Sequence, residues 1–98
     1  MSKEFKQKVL GLRDGGKIYV EFYASWCVPC KEYAKTLSKL IDGGIPVFKV
    51  NVEEHMDLAQ AYEIMSIPVT ILFKNGDPVR QFNGVQGFDK LKNAFDGA

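Results

Sequence analysis

The stretch KIYVEFYASWCVPCKEY, residues 17–33, runs from an apolar, β-branched and aromatic segment straight into two cysteines held apart by Val28 and Pro29. Residues 17–24 are too short and too uniformly apolar for a surface helix, and they predict a strand buried on both faces. From 28 to 41, Ala34, Leu37 and Ile41 fall on one stripe with Tyr33 and Leu40 beside it, while Lys31, Glu32, Lys35 and Lys39 lie outside. That pattern predicts an amphipathic helix, ended by Gly43-Gly44. IPVFKVNV, residues 45–52, predicts a second buried strand. Strand, helix and strand in this order make a right-handed unit with two parallel strands, both expected inside the sheet.

Outward from this unit the same α/β pattern continues. Phe5, Val9 and Leu12 share one face of an N-terminal helix over residues 3–12, which Gly15-Gly16 is expected to stop. Leu58, Ala59 and Tyr62 support a short helix over 56–63. IPVTILF (67–73) predicts a third strand, and the KNGDP turn reverses the chain into VRQF (79–82), giving an antiparallel hairpin. A last helix, 88–96, buries Phe88, Leu91 and Phe95. The sum is a four-stranded mixed sheet covered by helices.

The chain has 98 residues, 46% hydrophobic with seven Phe and four Tyr, enough to build one core without covalent staples. One monomeric domain, residues 1–98, is expected. Thirteen basic against twelve acidic residues, spread without long runs, leave no electrostatic footprint for nucleic acid or an anionic membrane. MSKEFKQKVL lacks the apolar segment of a secretory signal, and no later stretch reaches the length of a membrane span, so a soluble cytoplasmic protein is expected.

Two cysteines at CxxC spacing admit a metal half-site, a structural disulfide or a reversible dithiol. A bridge this short constrains little unfolded chain, which argues against a structural role. A metal needs further ligands, and His55 is the single nitrogen donor available, better read as a solvated residue beside the 56–63 helix. Lys31 removes the CxxCH signature of haem attachment. Reversible thiol chemistry fits the position best. At the start of a helix, unpaired N–H groups and the positive dipole end favour an anion, so Cys27 is the expected thiolate. Pro29 sits in the first turn, where its missing N–H is harmless, and stiffens the loop. Cys30 lies on the same side of the turn, within reach of the Cys27 sulfur.

Glu21 is anomalous, a carboxylate in the middle of a strand whose flanking residues belong indoors. Alternation places it on one face with Tyr19 and Tyr23, and on the neighbouring strand Lys49 alternates likewise, so the two are expected to meet beneath the active-site helix. Burial would raise the carboxyl towards neutrality, as suits a group that takes the proton of the second thiol. A plain ion pair is the structural alternative. Ile67-Pro68 opens an apolar strand and reads either as a strand-start proline or as a cis peptide that exposes the Ile67 backbone to an extended substrate chain.

With these residues in place, the chain resembles the thioredoxin family over nearly its whole length. The segments VEFYASWCVPCK, FKVNVEE, YEIMSIPVTILFKNG and FNGV carry the likeness, in the family's order and intervals. The resemblance implies a thioredoxin-like fold with helices on both faces of the sheet, and dithiol-disulfide exchange on protein substrates. It makes Cys27 the attacking nucleophile and Cys30 the resolving thiol, while the assisting roles of Glu21 and Lys49 rest on the strand alternation above. Pro68 becomes a cis-proline beside Ile67. Trp26, Val28, Pro29 and Gly84 belong to the surface that meets the substrate. No bound cofactor is implied beyond a redox-active Cys27–Cys30 disulfide, and the implied partners are disulfide-containing proteins and a thioredoxin reductase as electron donor. Three departures stand out: Val28 where the family usually has glycine, Glu21 where it has aspartate, and no N-terminal edge strand. A disulfide oxidase or isomerase, and a binding module using the Trp26, Pro68 and Gly84 surface, are the rival functions.

Overall fold

The computed structural model describes residues 2–98. The elements run α1 (Lys3–Phe5, continuing as a π-helical turn Lys6–Leu10), β1 (Lys17–Tyr23), α2 (Val28–Asp42), β2 (Val47–Asn51), α3 (Met56–Ala61), β3 (Val69–Lys74), β4 (Asp77–Asn83) and α4 (Phe88–Asp96). The four strands form one sheet in the order β2-β1-β3-β4. β1 pairs parallel with β2 and antiparallel with β3, and β3 pairs antiparallel with β4.

Alternation along the central strands divides the core. Ile18, Val20, Phe22, Ile71 and Phe73 face one side, where Phe5 and Val9 of the N-terminal helix and Leu58 of α3 cover them. Phe5 is fully buried, and its ring meets Phe48, Phe73 and Tyr62 edge-on at 5.8, 5.9 and 6.0 Å. On the other side Tyr19 and Leu72 pack against Tyr33, Leu37 and Leu40 of α2 and Leu91 of α4. Glu21 and Thr70 lie on this second face, by the same period of two, and both are buried.

The hairpin between β3 and β4 turns on Asn75 and Gly76, both at positive φ (56° and 84°), as a two-residue connection between right-twisted strands requires. A Cβ at residue 76 would collide with the carbonyl oxygen of Leu10, so glycine here also lets the hairpin close on the N-terminal helix.

Four expectations need correction. The first helix ends at Leu10, not beside Gly15-Gly16, because Gly11 closes it; a Cβ at Gly11 would stand 2.8 Å from the Gln7 carbonyl oxygen. β2 is an edge strand and not an interior one. Its apolar residues arise because both of its faces are partly covered: Phe48 and Val50 pack with Phe5, and Val47 packs against the α2 side. Ile41 is 46% exposed, since the buried stripe of α2 runs through Cys30, Tyr33, Leu37 and Leu40 and leaves Ala34 and Ile41 at its rim. The second and third strands each begin two residues later than expected, after Pro46 and Pro68, which cannot donate to a ladder.

Candidate active site

β1 ends at Tyr23, and the chain turns through Ala24, Ser25 and Trp26 into α2. Cys27 is the N-cap of that helix: its backbone is extended (φ −83°, ψ 108°), and its sulfur accepts the Cys30 backbone N–H at 3.3 Å. The Cys27 N–H donates to the Ala24 carbonyl oxygen at 3.2 Å, fixing the turn. Pro29 occupies the first turn, where the helix needs no donor from it. Cys27 and Cys30 are joined as a disulfide with their Cα atoms 5.3 Å apart. Both are buried, whereas Trp26 and Val28 beside them are 64% and 68% exposed. The sulfurs thus lie just under a rim of apolar side chains.

Against the cysteines packs Ile67, and the Ile67-Pro68 peptide is cis. The Pro68 carbonyl oxygen accepts the Gly84 N–H at 2.8 Å, which ties the two loops together. Gly84 sits at φ 83° with open space where a Cβ would project, so its backbone is presented without a side chain. Among the described residues, Ile67 takes part in no backbone hydrogen bond of the turns and strands. An extended chain could pair there.

Glu21 and Lys49 are direct partners in the parallel β1–β2 register. They are not joined by an ion pair among those formed by the described residues, although the Lys49 charge acts on the carboxyl. Glu21 instead lines a cavity of about 150 Å³ together with Ser25, Cys30, Lys31 and Lys49. Burial pushes its carboxyl from 4.5 up to about 7, and the Lys49 charge partly opposes that rise. A carboxyl near neutrality therefore shares a small, mostly apolar cavity with the second cysteine.

Trp26 also borders a recess of about 340 Å³ with Val52, Ala59, Ile64, Met65 and Ile67, and sequence reasoning misses Val52, Ile64 and Met65 as site residues. Met65 is 94% exposed. Its position two residues before Ile67 is the available signal, but an isolated methionine carries no period that marks it. Among the described residues no group of three His, Cys, Asp or Glu side chains is placed to hold a metal ion, and no helix is long and apolar enough to cross a membrane.

The Thioredoxin family model matches residues 1–96. A thioredoxin of Staphylococcus epidermidis is 40% identical over 86 residues, covering 85% of this chain and 83% of its own. One from Staphylococcus aureus is 38% identical over 96 residues, covering 95% and 88%. A mitochondrial thioredoxin of Mus musculus is 37% identical over 78 residues, 76% of this chain and 47% of its own. Among solved structures, a point mutant of a thioredoxin from Halobacterium salinarum NRC-1 superposes with a TM-score of 0.80 at 32% identity, covering 86% of this chain and 75% of its own.

Proposed function

The chain belongs to the thioredoxin family, whose members are disulfide oxidoreductases, and from that premise we propose that it is a cytoplasmic protein-disulfide reductase acting as one domain. The observation that carries this reading is Cys27 capping α2 with Cys30 bonded to it, beside the unpaired Ile67 backbone.

In the reduced protein the helix N-terminus holds Cys27 as a thiolate. The thiolate attacks one sulfur of a substrate disulfide, forming a Cys27–substrate disulfide and expelling the other substrate sulfur as a thiolate. Glu21, ionised at neutral pH in about half of the molecules given its value near 7, takes the Cys30 proton, either directly or across the shared cavity. Cys30 then attacks the Cys27 sulfur, the second substrate thiolate leaves, and Glu21 returns a proton to it. The substrate gains two electrons and the protein ends as the Cys27–Cys30 disulfide. A thioredoxin reductase returns two electrons, and no bound cofactor takes part.

Trp26, Val28, Pro29 and Gly84 frame the substrate, and Ile67 with Pro68 supplies the edge for its main chain. Lys49 tempers the Glu21 carboxyl from the neighbouring strand. Reduction of insulin coupled to a thioredoxin reductase tests the reading; absence of turnover with both disulfide substrate and reductase present would reject it. Val28, bulky and exposed where the family usually has glycine, favours a second reading as an oxidase or isomerase. Equilibration with glutathione separates the two, because a poise well above the cytosolic range belongs to the oxidant.

A further inference from the structure

The recess that Trp26 borders does not end at Met65. Val52, Ala59, Ile64 and Met65 also line a larger recess of about 640 Å³, which runs on to Met56 at the start of α3. With four residues in common, the two form one continuous, mostly apolar trough that opens beside Trp26 and Ile67. Two of the chain's three methionines stand in it, and Met1 lies outside the described residues. Met65 is 94% exposed and borders both recesses, whereas Met56 is 63% exposed and borders the larger alone. A single exposed apolar side chain is ordinary, but here Trp26, Met56 and Met65 gather on one trough. Its continuity with Trp26 and Ile67 assigns it to the segment of a substrate protein that flanks the disulfide under attack.

We propose that Met65 is a site of reversible oxidation by hydroperoxides, and that its sulfoxide weakens the docking of protein substrates beside the Cys27–Cys30 pair. The proposal rests on the substrate-facing role given to Trp26 and Ile67 above. In the step, the thioether sulfur attacks the outer oxygen of the hydroperoxide. An S–O bond forms as the O–O bond breaks, the sulfur gives up two electrons, and the proton on the transferred oxygen passes to the leaving oxygen, which departs as an alcohol or water. A methionine sulfoxide reductase reverses the change with two electrons from a dithiol, releasing the oxygen as water.

Thiolates compete for the same oxidant, but in the disulfide form neither Cys27 nor Cys30 is one. Oxidation of Met65 is therefore favoured when the disulfide form accumulates in the presence of peroxide. The sulfoxide puts a polar oxygen where the trough offers mainly apolar carbon, and docking must strip its water without supplying a partner. Attack on a disulfide uses the two cysteines, so a substrate too small to enter the trough is reduced as before.

The test treats the oxidised protein with hydrogen peroxide, locates the added oxygen by peptide mass spectrometry, and measures turnover of insulin and of a small aromatic disulfide with a thioredoxin reductase. Met65 should gain oxygen before Met56. The KM for insulin should then rise about tenfold with kcat held within about twofold, the small disulfide should turn over as before, and methionine sulfoxide reductases with dithiothreitol should restore the original KM. Met65→Leu, compared with itself before and after peroxide, should lose far less. An insulin KM unmoved by complete oxidation of Met65 overturns the proposal, as does an equal loss in Met65→Leu, which would place the damage elsewhere, or an equal slowing of the small disulfide, which would place it at the sulfurs. If the untreated protein reduces no protein disulfide, the function proposed above fails and this inference with it, whereas turnover indifferent to Met65 oxidation overturns this inference alone.

Discussion

Replacing Glu21 by glutamine should make the oxidised protein more stable, and only on the alkaline side. Glu21 is 2% exposed, and its carboxyl titrates at about 7 in place of 4.5, with burial as the leading cause. Because the folded-state value is raised, the folded protein holds the proton more tightly than the unfolded chain does. The stability this confers is fully present below pH 4.5 and is lost as pH rises to about 7. At about 1.36 kcal/mol for each pH unit, the rise amounts to about 3 kcal/mol. Glutamine has nearly the same shape and no charge to desolvate. The two proteins should therefore differ little at pH 4, and the variant should gain about 3 kcal/mol on its parent by pH 8, a large part of the ~5–15 kcal/mol typical of a domain. Urea unfolding of both proteins at several pH values, kept oxidised so that neither cysteine titrates, measures the difference. A difference that stays constant from pH 4 to 8, or a variant that loses stability at pH 8, refutes the assignment of a buried, high-titrating carboxyl.

Three other outcomes are expected. Cys30→Ser should accumulate a stable mixed disulfide with protein substrates through Cys27, whereas Cys27→Ser should trap none; non-reducing gels with mass spectrometry read both. Lys49→Met removes the cation that opposes the rise of Glu21, so the pH of half-maximal release from the mixed disulfide should move up, by as much as about one unit. Phe5→Ala opens a hole among Phe48, Tyr62 and Phe73 and should lower the unfolding free energy by about 3–5 kcal/mol in urea titrations, leaving the rate of thiol exchange in the folded protein intact.

The parts of the molecule legible in the sequence are those that one period or one spacing determines. Val20 and Phe22 announce an interior strand, the CxxC before Tyr33 and Leu37 announces a helix whose N-terminus carries sulfur, and Asn75-Gly76 announces a tight hairpin. Register follows from alternation as well, since Glu21 does stand opposite Lys49. Edge position is not legible at β2. An apolar strand tells how well its faces are covered, and Phe48 and Val47 are covered on opposite faces although one edge has no neighbour. Nor can spacing show that Gly11, rather than Gly15, caps the first helix, because the room it leaves beside the Gln7 carbonyl oxygen is a feature of the folded turn. The Tyr33–Thr70 bond joins residues 37 positions apart, and each alone reads as an ordinary core residue. The recess beside Trp26 is likewise assembled from α3, the loop after it and the end of β2, which no local pattern connects.

The account depends most on the reactivity of one sulfur at the start of α2. Alkylation of the reduced protein with iodoacetamide from pH 5 to 10, with each cysteine followed by peptide mapping, tests it directly. Cys27 should react first, with a midpoint clearly below the ~8.5 of a free thiol, and Cys30 should lag behind it. Equal rates at both cysteines, rising only near that free-thiol value, would contradict it.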